Sequence, residues 1–457
     1  MYQQNDTIAA ISTARAPSAI GILRLSGPDA IQIAKACFRP LGKKALTDHS
    51  PRELVYGDLL DSGGQPIDRG LCTFSVGPSS YTGEDTAEFQ CHGSPMVLAL
   101  GLESLFAQGA RQAGPGEFTR RAFLNGRLDL AQAEAVGDLL EARSRESARH
   151  ATGQLTGALS RKIGDIYGAL VDVMAHFHAV LDYPDEDIDP FQMEELEQIL
   201  HTQEDQMTTL LSSCRRGFQL TQGIGCAIVG RPNAGKSSLL NALAGYDRAI
   251  VTDIPGTTRD TLDVSVQLGG LPFRLIDTAG LRQSADPIEQ MGVERSRTAM
   301  EEADLIWVLC DSSVPFTQED ADLLEKASAL APVILVRTKS DLDSAPAPVL
   351  SQKVTTVSIS TVTGAGLEEL EKASAALFPQ KEDLPYGQLL TNQRQEEAVT
   401  RARESVRRAA EALESGVTPD ALLTDVEEAL SALGELTGQS VREDVTDRIF
   451  SKFCVGK

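Results

Sequence analysis

Short apolar runs separated by turn residues dominate the first part of the chain. Residues 19–25 and 71–76 are rich in strand-forming side chains and are bounded by Gly, Pro and Ser, whereas residues 29–38 and 96–108 have helical spacing. This mixture predicts a compact α+β domain, which we place at residues 1–119.

The pattern changes after residue 120. Residues 128–179 are rich in Ala, Leu, Glu and Arg, with apolar positions three to four residues apart, and residues 193–215 continue the same spacing. Such spacing is typical of long amphipathic helices. We assign residues 120–220 to the first part of a helical domain.

Apolar strands alternate with helical segments between residues 221 and 380. Strands are predicted at residues 226–229, 305–310 and 333–336, and the alternation is typical of a parallel sheet built from βαβ units. Helical spacing returns in residues 381–457. The sequence therefore predicts a multidomain α/β protein, with an α/β domain inserted into a helical domain that flanks it on both sides.

Composition narrows the class of protein. The 457 residues are 42% hydrophobic and 23% charged, as in ordinary globular proteins with several domains. The seven cysteines are scattered and none forms a CxxC pair, which is typical of reduced thiols in a cytoplasmic protein. No apolar run is long enough to span a bilayer, so we expect no membrane attachment.

Charge restricts how the chain can contact RNA. The 42 basic residues face 65 acidic ones, which gives a formal net charge of -23 that repels nucleic acid as a whole. Any RNA contact needs a local basic patch, and the candidates are Arg120-Arg121, Arg143 to Arg149 and Arg215-Arg216. Each of these stretches is also expected as a solvated helix face.

The strongest motif is GRPNAGKS at residues 230–237, which fits GxxxxGK[ST] between a predicted strand and a predicted helix. In this context the loop amides and the helix N-terminus cradle phosphates. Lys236 is expected to reach the β- and γ-phosphate oxygens, and the Ser237 hydroxyl to bind Mg²⁺. The motif predicts a nucleoside triphosphate site.

Two downstream segments fit the same site. Residues 274–280, RLIDTAG, place Asp277 at a strand end, where its carboxylate can hold Mg²⁺ through water, and Gly280 where its amide can meet the γ-phosphate. Between the phosphate-binding motif and this segment, residues 253–259 are predicted to form a loop in which Thr258 is a second candidate hydroxyl for the metal. In this order the segments predict an Mg²⁺-dependent phosphohydrolase.

Two further segments indicate guanine as the base. Residues 338–341, TKSD, resemble the NKxD element of GTPases, and Asp341 can accept hydrogen bonds from the N1 and N2 groups of guanine. Thr338 stands where Asn is usual, which puts the tightness of binding in question. Ser360 and Thr361 fall in a segment similar to the last guanine loop, although a purely structural turn is the alternative.

The usual water-orienting Gln after DTAG is replaced by Leu281, which cannot polarise water. Two substitutes are candidates: Glu289 for orienting the water, and Asn233 for holding a monovalent cation. A solvated helix face is the alternative for Glu289.

Taken together, the chain resembles the MnmE (TrmE) family of tRNA-uridine-modifying GTPases over essentially its full length. The motifs that carry the resemblance are GRPNAGKSSLLN, TDIPGTTRD, DTAGLR, YTGEDTAEFQCHG, PGEFTRRAFLNGRLDLAQAEA and the terminal FCVGK. The last three are the specific ones, because many GTPases share the others.

The resemblance implies roles for individual positions. The catalytic positions are Glu289 and Lys236, and Cys454 matches the Cys of the terminal motif. The magnesium positions are Ser237 and Thr258, the potassium positions are Asn233, Thr252, Ile254 and Thr257, and the folate positions are Arg24, Glu88, Arg127 and Lys457. The expected nucleotide-binding positions are Asn233, Ala234, Gly235, Lys236, Ser237, Ser238, Thr252, Asp253, Ile254, Pro255, Gly256, Thr257, Thr258, Asp277, Thr278, Ala279, Gly280, Thr338, Lys339, Asp341, Ser360 and Thr361.

The resemblance also implies cofactors and partners. An N-terminal domain that dimerises would bind a 5-formyl- or methylene-tetrahydrofolate, and the GTPase domain would use Mg²⁺, K⁺ and GTP. A FAD-containing protein, MnmG (GidA), would join the homodimer to place an aminomethyl or carboxymethylaminomethyl group on carbon 5 of a tRNA wobble uridine.

Two other functions compete with this interpretation. A GTP-controlled RNA or ribosome assembly factor would bind and release without chemistry, but no KH loop or basic tail is recognisable in the sequence. A folate-binding regulatory module with a degenerate GTPase is disfavoured because Lys236, Ser237, Asp277 and Thr258 are intact.

Overall fold

The computed structural model describes residues 5–182, 193–245, 263–277, 297–343, 345–346, 354–378, 385–415, 419–439, 443–451 and 453–456. By density of contacts the chain forms two compact units. The first comprises residues 1–137, 154–200 and 404–457, and the second comprises residues 138–153 and 201–403. These two units do not test the boundaries of the four predicted domain ranges, which stay a prediction.

A mixed sheet forms the N-terminal part. Its strands are β1 (Ile8–Ile11), β2 (Ser18–Ser26), β3 (Phe38–Pro40), β4 (Val55–Leu60), β5 (Pro66–Ser75), β6 (Thr86–Gly93) and β7 (Arg111–Gln112), in the order β3-β4-β5-β6-β2-β1-β7. Neighbouring strands are antiparallel except β1 and β7. Alternating residues such as Leu23, Leu25, Ala87 and Phe89 enter the core, as expected for a sheet with one buried face.

Helices cover the buried face of this sheet. Helices Ala30–Cys37 and Pro95–Ala107 contribute Ile33 and Leu98 to the same core. A short 3₁₀ helix at Leu46–Asp48 and a helix at Glu117–Leu124 complete this part of the fold. The predicted α+β class is confirmed.

The inserted domain contains a second sheet. Its strands are β8 (Ile224–Gly230), β9 (Asp263–Leu268), β10 (Leu271–Asp277), β11 (Leu305–Asp311), β12 (Val333–Thr338) and β13 (Thr355–Ser358), in the order β13-β12-β11-β8-β10-β9. All neighbours are parallel except β9 and β10. Helices are found at Lys236–Gly245, Gln318–Ser328 and Leu367–Ala376.

Both faces of this sheet are buried, as parallel sheets require. Ile228 and Trp307 pack into one apolar cluster, whereas the alternating residues Val229 and Val308 pack into a second cluster on the other face. Because the β-strands are parallel, their carboxyl ends meet at one edge, where ligands of such sheets bind.

The remaining elements are helical, as predicted. They are Leu130–Glu141, Arg145–Leu155, Ala158–Asp182, Met193–Ser212, Cys214–Gln222, Gln393–Glu414, Pro419–Thr437 and Glu443–Phe450. Helices Ala158–Asp182 and Pro419–Thr437 pack against each other. Within the described residues, no helix combines the length and apolar character needed to cross a bilayer.

Candidate functional site

The phosphate-binding loop connects β8 to the helix that begins at Lys236. Gly230, at the end of β8, has a φ of +157°, and a Cβ built there would lie 2.5 Å from the Leu309 carbonyl oxygen. Only glycine fits this close approach to β11. Asn233 also adopts a left-handed conformation, with φ of +64°, which Asn tolerates better than most residues.

The lysine of the motif lies over its own loop. Lys236 Nζ donates to the carbonyl oxygens of Gly230, at 2.6 Å, and Arg231, at 2.9 Å. The ammonium group is therefore held where the loop curves, ready to donate to phosphate oxygens. The Ser237 side chain is exposed in the first helical turn, so its hydroxyl fits the predicted role as an Mg²⁺ ligand.

The predicted guanine segment lies beside this loop. The buried Thr338 Oγ1 donates to the Ala234 carbonyl oxygen at 2.8 Å and is 3.2 Å from the Cys310 carbonyl oxygen. The unusual Thr at this position thus joins the guanine segment directly to the phosphate-binding loop.

The base-reading carboxylate is also held in place. Ser360 Oγ donates to Asp341 Oδ1 at 2.6 Å, and the same hydroxyl accepts from the amides of Val362 and Thr363. Thr361 lies in this turn. These three hydrogen bonds fix one oxygen of the Asp341 carboxylate through Ser360, and a carboxylate has a second oxygen that can accept from a base.

Part of the predicted site lies outside the described residues. Asp277 is paired with Ile228 at the end of β10, but only its backbone is described. The predicted positions that are not described are Thr252, Asp253, Ile254, Pro255, Gly256, Thr257, Thr258, Thr278, Ala279, Gly280, Glu289 and Lys457. Their roles stay predictions.

Two predicted folate residues form an ion pair in the N-terminal sheet. Arg24 on β2 is directly opposite Glu88 on β6, and Arg24 Nε lies 2.7 Å from Glu88 Oε1. The guanidinium carbon is 5.9 Å from the ring centre of Tyr81 and 5.7 Å from that of Phe118, which is within the range of cation–π contacts. Sequence reasoning missed these two rings, since both lie far from Arg24 in the chain.

The third folate candidate lies near the same loop. A Cβ built on Gly83 would lie 3.3 Å from Arg127 Cγ, so the Arg127 side chain runs along the loop that also carries Tyr81. Burial raises the pKa of Tyr81, whose hydroxyl is 3.0 Å from Thr119 Oγ1. Arg127 therefore lies against the loop that carries Tyr81, and the Tyr81 ring is in turn a neighbour of the Arg24 guanidinium.

The C-terminal segment is docked rather than frayed. The Gly116 amide donates to the Cys454 carbonyl oxygen at 3.2 Å, and Val455 forms an antiparallel bridge with Pro115. Ser12 Oγ donates to the Gly456 carbonyl oxygen at 3.0 Å. The Cys454 side chain is an exposed free thiol, so the backbone of this tail is anchored while its thiol faces solvent.

One basic stretch differs from the expectation. Arg120 and Arg121 are buried, not on a solvated face or an RNA-facing patch. Arg120 pairs with Asp447 at 2.7 Å, and Arg121 pairs with Asp6 and Glu117. The prediction was wrong because these partners are remote or on the adjoining helical turn, and sequence spacing does not show which face is covered.

Two family models together match most of the chain. A family model described as the MnmE helical domain matches residues 130–454, and one described as the GTP-binding protein TrmE N-terminus matches residues 7–127. The G domain of the FeoB iron transporter of T. maritima is 28% identical, with a TM-score of 0.26, over 34% of this chain and 97% of that chain.

Full-length relatives carry the same description. The tRNA modification GTPase MnmE of Chloroflexus aurantiacus is 45% identical over 459 residues, covering 99% of this chain and 100% of the relative. The protein of the same description from Roseiflexus sp. is 42% identical over 465 residues, covering 99% of each chain.

Proposed function

The chain belongs to the MnmE family of tRNA modification GTPases, and we propose that it acts with a FAD-containing partner, MnmG, on the wobble uridine of certain tRNAs. The product would carry an aminomethyl or carboxymethylaminomethyl group on carbon 5. Membership of the family supports GTP hydrolysis and a role in tRNA modification. The partner and the group added are the proposal.

The observation that carries the proposal is the extent of the match. The relatives align with 99% of this chain, so the N-terminal sheet and the helical part are shared as well as the GTPase domain. A bare GTP-controlled switch would need only the last of these. The docked tail and the Arg24–Glu88 pair support a second working site outside the GTPase domain.

That second site would hold a tetrahydrofolate derivative, 5-formyl- or methylene-tetrahydrofolate, which supplies a one-carbon unit when bound. Glu88 can accept from the amide-like edge of the pterin, and Arg24, Arg127 and Lys457 can attract the carboxylates of the glutamate tail. Tyr81 and Phe118 confine the Arg24 guanidinium, so its direction is set before the ligand arrives.

At the nucleotide site, Lys236 and the loop amides would hold the phosphates, with Ser237 and Thr258 binding Mg²⁺. Glu289 would orient the water that Leu281 cannot. A K⁺ ion held by Asn233, Thr252, Ile254 and Thr257 would neutralise the charge that builds between the β- and γ-phosphates, as an arginine finger does in other GTPases.

This cation role is directly testable. We expect GTP hydrolysis to be faster in K⁺ than in Na⁺ at equal ionic strength, because the smaller ion fits the same ligands poorly. Asn233→Ala should remove the preference by removing a ligand. Steady-state phosphate release in the two salts measures the effect, and equal rates for the unmodified protein would mean that another group supplies the charge.

A homodimer formed through the N-terminal domain, and a cytoplasmic location, complete the proposal. The molar mass from light scattering checks the first, and a value for one chain at micromolar concentration would contradict it. Cell fractionation checks the second.

The proposed chemistry is tested by mass spectrometry of tRNA nucleosides. Cells lacking the protein should lose the modified wobble uridine, and Lys236→Ala should fail to restore it, since the phosphates lose their ammonium partner. Lys326→Ala, which changes an exposed lysine of the same domain, is the matched control and should restore it. Normal tRNA with defective ribosomal subunits would instead support the assembly-factor alternative.

A further inference from the structure

Asp311 lies at the edge of the sheet where the nucleotide site is built, although no motif includes it. It is the last residue of β11, and it is paired in register with Thr338 at the end of β12. On its other side β11 pairs with β8, which leads into the phosphate-binding loop. Asp311 therefore stands between the strand that leads to the phosphates and the strand that leads to the base.

The Asp311 carboxylate is fixed on one oxygen and bound to a lysine on the other. Oδ1 accepts from the Ser313 amide at 2.9 Å and from Ser313 Oγ at 2.6 Å. Oδ2 lies 2.6 Å from Lys339 Nζ. Burial raises the pKa of Asp311, but Lys339 and Ser313 outweigh it and hold the pKa below its usual value. The group is thus an anion aimed at Lys339.

Lys339 is the second residue of the guanine segment. Its neighbour Thr338 is bonded to the phosphate-binding loop, and Asp341 is bonded to Ser360 in the last guanine loop. The Lys339 backbone has a φ of +57°, in the left-handed region. The lysine stem therefore leaves the chain between the phosphate and base regions, where it can form one wall of the nucleotide pocket.

A free lysine side chain samples many rotamers. A ligand that must order this side chain on binding pays the lost conformational entropy, which lowers its affinity. Here the Lys339 side chain is 38% exposed, so packing alone does not hold it. Asp311 also lines a cavity of about 240 Å³, together with Arg231, Asn233 and Phe316, so there is open space in this region. The Asp311 carboxylate is what limits the motion of the lysine.

We propose that Asp311 is a positioning residue that orders Lys339 before the nucleotide binds, and so raises the affinity for GTP and GDP alike. Base choice stays with Asp341. The inference uses the GTPase activity of the family and does not depend on the proposed chemistry on tRNA.

The first test is Asp311→Asn in the full-length protein. Asn keeps the size of the side chain and can still accept from Ser313, but it loses the charge that holds Lys339. We expect the Kd of a fluorescent GDP and the KM for GTP to rise about tenfold, with kcat at saturating GTP and the preference over ATP unchanged. Asp341→Asn should differ by lowering the preference for guanine. Asp343→Asn, at an exposed carboxylate nearby, is the matched control and should change none of these values.

A double-mutant cycle tests whether Asp311 acts through the lysine. Lys339→Met keeps the apolar stem and removes the charge, so adding Asp311→Asn to it should raise the Kd no further. If the two effects multiply instead, or if kcat falls while KM stays constant, the proposal is overturned.

A second variant is available in case Asp311→Asn unfolds the domain. Ser313→Ala keeps the charge of Asp311 but removes the Ser313 hydroxyl that holds its carboxylate. It should raise the Kd about threefold in the presence of Lys339 and not in the Lys339→Met background, and equal rises in both would also overturn the proposal.

Discussion

Thr338 shows how one hydroxyl can replace the Asn that usually opens the guanine segment. The Thr side chain is buried, and its Oγ1 donates to the Ala234 carbonyl oxygen in the phosphate-binding loop. A Thr in this place therefore keeps the link between base and phosphate segments.

Replacing that hydroxyl should weaken the site. Thr338→Val has nearly the same shape but no donor, so the Ala234 carbonyl loses a buried partner, which costs about 1–3 kcal/mol. We expect the free energy of unfolding of the GTPase domain to fall by that amount, measured in urea. The Kd for GDP should rise several-fold.

Thr338→Ser keeps the hydroxyl and serves as the control. If Val and Ser variants bind GDP equally well, the hydroxyl does not link the two segments in the working protein, and shape alone explains the Thr.

At this scale the sequence identifies residues whose chemistry follows from local spacing. Lys236, Ser237 and Asp341 were predicted because motif and fold place them within a few residues of a strand end. Asp311, Tyr81 and Phe118 were not, because their partners come from other strands or helices. Contacts between distant segments depend on register, which no short pattern encodes.

At the scale of elements, the segment that leaves the GTPase domain is tightly enclosed. Leu389 and Leu390 are buried, and a Cβ on Gly217 would lie 1.8 Å from the Leu390 carbonyl oxygen. The Leu389 amide donates to His150 Nε2 at 3.2 Å. The histidine on helix Arg145–Leu155 must therefore be neutral to accept this bond.

His150 should make stability depend on pH. Burial, with a smaller contribution from Arg216, lowers the pKa of His150 from 6.5 to about 4. Because the unfolded chain binds this proton more readily, stability is present at neutral pH and is lost as the pH falls through 6.5 toward 4. From pH 7 to pH 5 the free energy of unfolding should drop by about 2 kcal/mol through this residue.

Urea unfolding at the two pH values measures the drop. His150→Gln offers an acceptor that does not titrate, so it should show a drop about 2 kcal/mol smaller than the unmodified protein. An identical drop in both proteins would show that other groups set the acid response.

The lengths of helices were harder to predict than their existence. Residues 128–179 form three helices, because Ser144 and Ser147 exchange hydrogen bonds that cap a new start, and Gly157 turns the chain with a φ of +83°. The predicted helix at 193–215 ends at Ser212, and a second begins at Cys214. Because serine and glycine also occur inside helices, their presence in the sequence does not by itself show that a helix ends there.

For the whole molecule, sequence patterns predicted the inserted α/β domain because its period differs sharply from the flanking helices. The patterns alone did not assign the last residues to the N-terminal sheet, although the family resemblance already placed Lys457 in one folate site with Arg24 and Glu88. Residues 404–457 form one compact unit with residues 1–137, and the Phe453 ring packs on Phe450 below Gly116. Whether a terminus is tied down depends on burial and hydrogen bonds across the fold.

The predicted nucleotide residues and the predicted folate residues belong to different compact units. The GTPase motifs lie in the unit that includes residues 201–403, whereas the tail and the candidate folate residues lie in the other. A change that releases only the tail should therefore stop tRNA modification without stopping GTP hydrolysis.

Gly456→Ala is the sharpest such change. Gly456 has a φ of +101°, and a Cβ there would lie 2.4 Å from the Ile11 carbonyl oxygen, so alanine is both strained and sterically excluded. We expect GTP hydrolysis within twofold of normal and at least a tenfold loss of modified wobble uridine, measured by mass spectrometry of cellular tRNA. Deleting residues 454–457 should match it.

Two matched variants isolate the cause. Gly109→Ala imposes similar backbone strain, with a φ of +104° but open space for the Cβ, and should leave modification near normal. Cys454→Ser keeps the docked backbone and removes only the exposed thiol, so it separates thiol chemistry from docking. Normal modification in cells with Gly456→Ala would show that the tail can leave its place without consequence, and the working site would then have to be sought among the remaining residues of the N-terminal sheet.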